Sequence, residues 1–405
     1  MISSYLNSMF SIFNVSSTKL RALVGHKEAL ALCLALSTLG LGLSTTAHAQ
    51  TITTFEAPDA GTLAGQGTEA VDINPVGAVV GFDADASNVA HGFVCVSGCN
   101  SSRAFISLNA PDAGTTDNGS DCLAVDGCQG TYAFSNNLFG VIAGFYIDSG
   151  NVGHGFVTAP PFKTFIILNE PDAAQGAGQG TFAENINLGG QIAGVYVDSN
   201  GISHGFVTAP PYTAFTSFDP VGSVDTFTAS VDAINLKGAI TGVYFDSGGV
   251  EHAFVRAANG SINAYNAKGA GTASGQGTNT SGINDLGVIV GPYIDSSGVN
   301  HGYVRSPSGA ITSFNVSAAG TGSGQGTVPE GDNLFGEVAG QYIDSSGVNH
   351  GFTRSPFGVI TTFDAPGAGT GAGQGTIPLT PNVFGVVAGE IIDSGGVLHG
   401  FLRTP

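Results

Sequence analysis

The stretch YIDSSGVNHG occurs at Tyr293–Gly302 and again at Tyr342–Gly351, 49 positions further on. Looser copies keep an Asp and a His six residues apart at five other places. The seven pairs are Asp85/His91, Asp148/His154, Asp198/His204, Asp246/His252, Asp295/His301, Asp344/His350 and Asp393/His399. A fixed period of this length is typical of architectures in which each unit packs against its neighbours. The sequence therefore predicts seven structural units.

Each unit is predicted to contain four short strands. In the sixth unit a first strand follows GQGT, and apolar runs occupy Glu337–Ile343, Val348–Arg354 and Val359–Phe363. The turns between them, Asn333–Gly336 and Asp344–Gly347, carry the residues that type I turns prefer. Short apolar runs between turn signals indicate strands rather than helices. Four strands in each repeat of about 49 residues favour an all-β fold, a seven-bladed β-propeller of four-stranded blades.

The two ends of the repeat region predict how the ring closes. TITTF at Thr51–Phe55 matches the fourth strands of later units, but no unit precedes it. HGFLRTP at His399–Pro405 matches a third strand, and no fourth strand follows it. The N-terminal strand would therefore complete the last blade and leave the sheet without a free edge. We expect residues 50–405 to form one propeller domain.

The first 49 residues have the pattern of a secretory signal peptide. Lys19, Arg21 and Lys27 precede the apolar run Ala29–Leu43, and Ala47–Ala49 supplies a small-x-small cleavage site. The alternative, a membrane anchor, needs about 20 apolar residues, and this run is shorter. We expect residues 1–49 to be removed and the protein to be secreted, either to the extracellular space or to the periplasm or surface of a Gram-negative bacterium.

Charge restricts the partners of the mature chain. The whole sequence has 11 Lys+Arg and 30 Asp+Glu, and the predicted signal peptide removes three of the former and one of the latter. The remainder carries 8 − 29 = −21. This charge repels phosphate backbones, so we expect no nucleic-acid partner, and no later segment is long and apolar enough to span a membrane.

The third strands carry a further signature. His-Gly-Phe recurs at His91–Phe93, His154–Phe156, His204–Phe206, His350–Phe352 and His399–Phe401, with the variants His252–Phe254 and His301–Tyr303. Together with the Asn-x-x-Gly and Asp-Ser-x-Gly turns, this motif resembles the HAF-repeat family of bacterial extracellular proteins. The resemblance covers essentially the whole mature chain. It implies export and a repeat architecture, and it transfers no functional residues.

The seven repeated His residues are predicted to be structural: His91, His154, His204, His252, His301, His350 and His399. They occupy one slot on the third strands, too far apart around a ring for several to share a metal ion, and zinc needs about three close protein ligands. We expect each ring to be buried between blades with a hydrogen-bonded partner. A ligand or catalytic role for these residues is the alternative. The sequence predicts no metal and no cofactor, although the oxygen-rich link Asp117–Asp126 leaves calcium open.

The Gly-rich links and the Asp turns should crowd together on one face of a propeller. GQGT precedes a strand rather than a helix, so it is not a phosphate-binding loop. The candidate ligand-binding residues on this face are Gln66, Gln179, Gln276, Gln325 and Gln374 in the links, with Asp295 and Asp344 in the turns. The alternative is that the links only need a flexible backbone.

Four carboxylates break the repeat symmetry, as an active site would. Glu184, Glu330, Asp332 and Glu390 lie near first or second strands. A pair of carboxylates could cleave glycans, but no spacing and no nucleophile motif supports a catalytic assignment, so none is made.

The interval between Asp85 and Asp148 is the longest, at 63 residues, and it holds every cysteine after the signal peptide. Four cysteines in an exported chain predict disulfides. Their close spacing favours the local pairs Cys95–Cys99 and Cys122–Cys128 over a zinc site, and this irregular link is the best candidate for a site present only once.

Taken together, these features favour a secreted, monomeric interaction module that presents repeated sites to a glycan or to a protein at the cell surface. A polysaccharide-active hydrolase or lyase and a purely structural envelope or matrix protein remain the alternatives, because a fold alone does not choose between them.

Overall fold

The structure is a computed structural model that describes residues 50–96, 98–120, 122 and 127–405. The predicted signal peptide lies outside the described residues, and the fold concerns the unit Gln50–Pro405. Within the described residues, no helix has the length and apolar composition needed to cross a membrane. The same part of the chain contains 29 strands in one mixed sheet and a short 3-10 helix, Ser102–Ala104.

The strands fall into repeated groups, here called units one to seven, each with a first, second, third and fourth strand. The first strands are Gly67–Ile73, Gly130–Asn136, Gly180–Ile186, Asp225–Thr228, the pair Gly277–Thr278 and Gly282–Ile283, Gly326–Asp332 and Gly375–Pro381. The second strands are Val79–Ala84, Ile142–Ile147, Ile192–Val197, Ile240–Phe245, Ile289–Ile294, Val338–Ile343 and Val387–Ile392.

The third strands are Ala90–Cys95, Gly153–Thr158, Ser203–Thr208, Glu251–Arg256, Asn300–Arg305, Asn349–Arg354 and Leu398–Thr404. The fourth strands are Phe105–Leu108, Phe165–Leu168, Phe215–Phe218, Ile262–Tyr265, Ile311–Phe314 and Ile360–Phe363, with Thr51–Phe55 serving unit seven. Neighbouring strands within a unit pair antiparallel, as in unit six, where Val338 pairs with Arg354 and Gly351 with Phe363.

The predicted completion of the last unit is confirmed. Thr51–Phe55 pairs antiparallel with the third strand of unit seven, from Thr51 opposite Thr404 to Phe55 opposite Gly400. Gly67 then forms a parallel bridge to Leu398. A Cβ at Gly67 would collide with the Leu398 carbonyl oxygen, which explains why the motif requires glycine there. The first and last units of the chain are therefore hydrogen-bonded to each other.

A ring of asparagines joins the turns between first and second strands. The side-chain amide of each Asn donates to the main-chain carbonyl oxygen of the Asn in the following unit, at 2.9–3.4 Å. In order the seven are Asn74, Asn137, Asn187, Asn235, Asn284, Asn333 and Asn382, and Asn382 donates back to Asn74. In each turn the Asn side-chain oxygen also accepts from the turn's own backbone, as Asn235 does from Lys237 and Ala239. One residue type thus caps its own turn and links it to the next.

The His-Gly-Phe motif has a packing explanation. The third residue of each copy is fully buried: Phe93, Phe156, Phe206, Phe254, Tyr303, Phe352 and Phe401. The Gly lies against the fourth strand, where a Cβ on Gly351 would meet the ring of Phe363 within 2.8 Å. The buried clusters extend across units, since Val290 of unit five packs with Val338 and Phe352 of unit six. Burial of these side chains against neighbouring units supplies the main driving force for the stacking.

Candidate functional site

The repeated Asp and His residues form one local network in every unit. Asp295 Oδ1 accepts from the backbone N–H groups of Ser297 (2.8 Å) and Val299 (3.0 Å), and its Oδ2 lies 3.1 Å from His301 Nε2. His301 Nδ1 lies 3.0 Å from the Asn315 side chain in the following link. In all seven units the His Nε2 lies 3.1–3.8 Å from the turn Asp. The imidazole thus ties a turn to a link.

The expectation that these rings are buried between units is wrong. The His side chains remain 13–26% exposed. In five units the ring stacks on the tyrosine opposite it on the second strand, as His301 does on Tyr293 with centroids 4.9 Å apart. The Phe or Tyr two positions later lies on the same face of the strand and is fully buried. The His precedes it near the start of the strand, beside the exposed Asp turn, and its ring is therefore only half-buried. Among the described residues, no group of three or more His, Cys, Asp or Glu could hold a metal ion.

The links and the Asp turns lie together, as predicted for one face. The backbone N–H of Gly324 in a link donates to Gly298 O in an Asp turn at 2.8 Å, and Gly373 bonds Gly347 in the same way. The link glutamines strengthen this contact. Gln325 Oε1 accepts from Gly322 N (2.8 Å) and its amide donates to Ser345 O (3.1 Å).

This arrangement gives the five predicted glutamines a structural role within the chain. Gln66, Gln179, Gln325 and Gln374 are hydrogen-bonded within the chain at both ends of the amide, and Gln276 Oε1 accepts from Ala273 N. Gln66 is only 3% exposed. Gln129 was not among the predicted glutamines because its motif reads CQGT instead of GQGT. Its amide is also bonded at both ends, since Oε1 accepts from Thr116 N and Nε2 donates to the Asn151 side chain. These amides clamp the scaffold, and a role for them or for Asp295 and Asp344 in ligand binding stays a prediction.

A cavity of about 690 Å³ lies among the first and second strands of units one to six. One side of this central cavity, here called the aromatic wall, is formed by Phe82, Tyr132, Phe134, Phe145 and Phe182. Neighbouring ring centroids lie 4.7 Å apart for Phe82 and Tyr132, 4.8 Å for Tyr132 and Phe145, and 5.1 Å for Phe145 and Phe182. Phe134 and Phe182 are half-buried and present their rings to the open space.

Three carboxylates line the same cavity. Glu184 accepts from the Thr228 hydroxyl at 2.7 Å, and Glu330 accepts from the Gln341 amide at 3.2 Å. Burial raises the pKa of Glu69, Glu184 and Glu330 from 4.5 to about 7. Behind them, the pKa of Glu390 is raised well above its ordinary value by burial and by the charges of Glu69 and Glu330. Glu69, Glu330 and Glu390 are here called the acidic edge.

Two structural features place these side chains. A β-bulge interrupts the first strand between Ala183 and Asn185 and again between Pro329 and Gly331, so Glu184 and Glu330 are the extra, unpaired residues. Phe134 occupies the same bulge in unit two. Because a bulge turns its extra residue away from the regular alternation, these three side chains point into the cavity. Glu69 follows the Thr of GQGT in unit one, where Tyr132 and Phe182 stand in units two and three.

Of the four carboxylates singled out from the sequence, Asp332 does not join this site. It lies beside the asparagine ring, where its Oδ2 accepts from the Asn284 amide at 2.7 Å. Burial and the charge of Asp232 raise its pKa well above the ordinary value. Asp332 is therefore part of the inter-unit contacts, whereas Glu184 and Glu330 line the cavity and Glu390 lies behind it.

The cysteines form two disulfides, Cys95–Cys99 and Cys122–Cys128, which is the predicted local pairing. They have different surroundings. Cys122 lines the central cavity, and the Cys128 carbonyl accepts from the Tyr132 hydroxyl at 2.9 Å. Cys95 and Cys99 pack in a separate cluster with Phe55 and Phe93. The irregular link therefore reaches a cavity whose lining residues break the repeat symmetry.

No protein-family model and no curated protein matches this sequence. Among solved structures, the chain is similar to a lectin from Burkholderia pseudomallei, with 11% identity and a TM-score of 0.51 over 86% of this chain and 96% of the lectin. It is also similar to a puromycin hydrolase (10% identity, TM-score 0.47, 85% of this chain and 53% of that chain). A third similar structure is dipeptidyl peptidase 4 of Porphyromonas gingivalis (7% identity, TM-score 0.39, 85% and 49%). Of these three structures, the lectin supports the fold, which is an all-β repeat fold of the β-propeller kind.

Proposed function

We propose that this protein is an exported, closed seven-bladed β-propeller that binds a glycan in its central cavity. The observation that carries the proposal is the pairing of an aromatic wall with carboxylates in one cavity of about 690 Å³. That volume is within the roughly 300–1,000 Å³ of sites for small ligands. Flat aromatic rings can pack on the apolar face of a sugar ring, and carboxyl groups accept from its hydroxyls.

The seven-bladed ring has two supports. Seven asparagine side chains donate from unit to unit and return to the starting residue. The N-terminal strand Thr51–Phe55 is the fourth strand of unit seven, whose other three strands come from the C-terminal end of the chain. The lectin has a similar fold, and a glycan is therefore the ligand class that we propose for this chain.

Export is supported by the two disulfides, because such bonds persist in oxidising compartments. We further propose that the protein belongs with the HAF-repeat proteins, acts as a monomer at or outside the cell surface, and has no nucleic-acid partner. The signal-peptide pattern of residues 1–49 and the net charge support these proposals.

A glycan array, run with and without calcium, tests the proposed function. We expect saturable binding that does not require calcium and that falls strongly in Phe134→Ala, which removes a ring from the cavity. The matched control is Phe139→Ala, since Phe139 is 62% exposed on a turn of the asparagine ring. An array without a ligand, or equal losses in both variants, would contradict the proposal.

A glycan-cleaving enzyme is the second candidate, favoured by carboxyl groups in one cavity whose pKa of about 7 suits proton transfer near neutral pH. If array ligands are shortened on incubation, and Glu184→Gln or Glu330→Gln stops this without loss of binding, the enzyme replaces the binding module. Intact ligands after long incubation exclude it for those glycans.

A further inference from the structure

We infer that the central cavity takes a glycan bearing free amino groups, with a protonated amine at the acidic edge and a sugar ring against the aromatic wall. This inference rests on the proposed function and narrows its ligand class. It follows from the negative charge of the cavity carboxylates, which no cationic side chain among the described lining residues balances.

The first step concerns the missing countercharge. Glu69, Glu184 and Glu330 line the cavity, and among its described lining residues there is no Lys, Arg or His. Four arginines of the domain are engaged elsewhere, with the guanidinium over a ring of the preceding unit, as Arg354 lies 4.8 Å from the Phe314 centroid. Carboxylates withdrawn from water are costly unless a cation or several donors accompany them. A cationic ligand would supply that partner.

The second step concerns Glu390, which is 8% exposed. Among the described residues, no donor is hydrogen-bonded to its Oε2, although this atom is buried next to Glu69 and Glu330. Gln341 Oε1, beside Glu330, is likewise buried without a donor. Unpaired buried acceptors are rare in native proteins and call for an explanation. An ammonium group, with three N–H donors and a positive charge, matches such a set of acceptors.

The third step selects the rest of the ligand. The half-buried rings of Phe134 and Phe182 complement the apolar face of a sugar, and aromatic faces also attract cations. The cavity is too small for a folded partner and fits a short oligosaccharide segment. The net charge of the mature chain, −21, raises the local concentration of any cationic polymer. An amino sugar in a glycan chain combines these properties.

Calorimetric titration with a glucosamine tetrasaccharide, compared with its N-acetylated form, tests the inference. A sugar amine resembles an α-amino group, so it is protonated below about pH 7.7. The carboxyl groups of Glu69 and Glu330, whose pKa is raised to about 7, are ionised above that value, so the titration is run between about pH 7 and about pH 7.7. We expect the amino form to bind at least about tenfold more tightly, because hydrogen bonds to charged groups are stronger than hydrogen bonds between neutral groups. Acetylation keeps the sugar ring and removes the charge.

The variants Glu69→Gln and Glu330→Gln, alone and combined, keep the shape of the acidic edge and remove its charge. They should abolish the preference for the amino form, so that the double variant binds the two tetrasaccharides with equal affinity. Asp172→Asn is the matched control, since Asp172 is exposed on a link and carries the same charge. Its variant should keep the full preference.

The outcomes separate the inference from the proposed function. Equal affinity for the two tetrasaccharides, or a preference that survives in the double variant, overturns the inference and leaves a glycan-binding module. Tighter binding of a lysine tetrapeptide than of the amino sugar also overturns it, in favour of a basic peptide. If no glycan binds in the titration or on the array, the proposed function itself fails.

Discussion

The seven first strands support two very different regions. At one end each strand leads into a turn with the same Asn, and the seven asparagines form one closed set of hydrogen bonds. Nearer the middle, the residue after the GQGT threonine or its equivalent differs almost everywhere: Glu69, Tyr132, Phe182, Phe227, Asn279, Val328 and Ile377. At the contacts between units every turn has the same environment, so the same residue, Asn, occurs in each of them. Where the strands line the cavity, no such constraint acts, and the differences mark the place where a ligand can be recognised.

The largest effect is expected from opening the ring. A chain whose mature part begins at Glu56 lacks the strand Thr51–Phe55 and leaves one edge of the last third strand unpaired, while its other edge stays paired with Val387–Ile392. Because an exposed strand edge recruits other chains, we expect a large fall in melting temperature and aggregation in size-exclusion chromatography. Thr53→Ala with Thr54→Ala is the control, since both side chains are exposed on the same strand. A shortened chain that stays monomeric and melts like the control would show that closure is dispensable.

The acidic cavity should make stability depend on pH. For Glu69, Glu184 and Glu330 the folded pKa is raised from 4.5 to about 7, so the folded state holds protons that the unfolded state has lost between these values. Their contribution to stability is complete below pH 4.5 and is lost as the pH rises to about 7. Backbone N–H groups lower the pKa of the turn residues Asp344 and Asp393 below 3.8, so stability also falls under more acidic conditions.

We therefore expect the highest melting temperature between the two ordinary values, 3.8 and 4.5, and a decline toward neutral pH. Thermal denaturation followed by circular dichroism measures it. In Glu69→Gln with Glu330→Gln the decline should be shallower, whereas Asp172→Asn should retain it. A melting temperature that rises steadily from pH 4.5 to about 7 would show that these groups are not desolvated in the folded protein.

The asparagine ring should respond to a single substitution. Asn235→Ala removes the donor to Asn284 O and leaves two turn N–H groups without their acceptor. We expect a loss of about 1–3 kcal/mol in the free energy of unfolding, measured by urea denaturation. Asn259→Ala is the control, because Asn259 lies on an exposed turn. Ligand affinity should stay unchanged. Equal stabilities of the two variants would show that the asparagine ring does not stabilise the fold.

The two disulfides should separate stability from binding. They close loops with sequence separations of only 4 and 6 residues, so each should stabilise the fold by less than about 2 kcal/mol. Replacing Cys122 and Cys128 with Ser should weaken glycan binding, since Cys122 lines the cavity and Cys128 holds Tyr132. Replacing Cys95 and Cys99 should leave affinity unchanged. Equal weakening of binding in both double variants would show that the irregular link has no specific role in the binding site.

The sequence was sufficient for the features that repeat. Turn chemistry and period predicted the strands, the pairing of Thr51–Phe55, the crowding of links and Asp turns, and the local disulfides. The features that failed need three-dimensional information. Alternation in a strand tells which residues share a face but not how far along the strand the core extends, so the His rings were expected to be buried and are only half-buried. Bulges cannot be read from one sequence, so Glu184 and Glu330 stood out as irregular without a reason to meet.

Glu69 and the aromatic wall were missed for a related reason. Phe82, Tyr132 and Phe145 read as ordinary apolar strand residues, and only the closed arrangement of units shows that their rings share one cavity. A signal was present, however. Aligning the units places Glu69 opposite Tyr132 and Phe182, and Glu390 opposite Phe82 and Phe145. Charged and aromatic residues that alternate at equivalent positions of a repeat indicate a site that the repeat itself does not need.

The stoichiometry of binding tests the central claim most directly, because the repeated network of turn Asp and His offers seven equivalent sites and the cavity offers one. Isothermal titration calorimetry with the strongest ligand of the glycan array gives the number of sites per chain. We predict one site, lost in Phe134→Ala and kept in His301→Ala, since His301 belongs to the repeated network. About seven sites per chain, or one site that survives Phe134→Ala, would contradict the claim that the ligand binds where the repeat is broken.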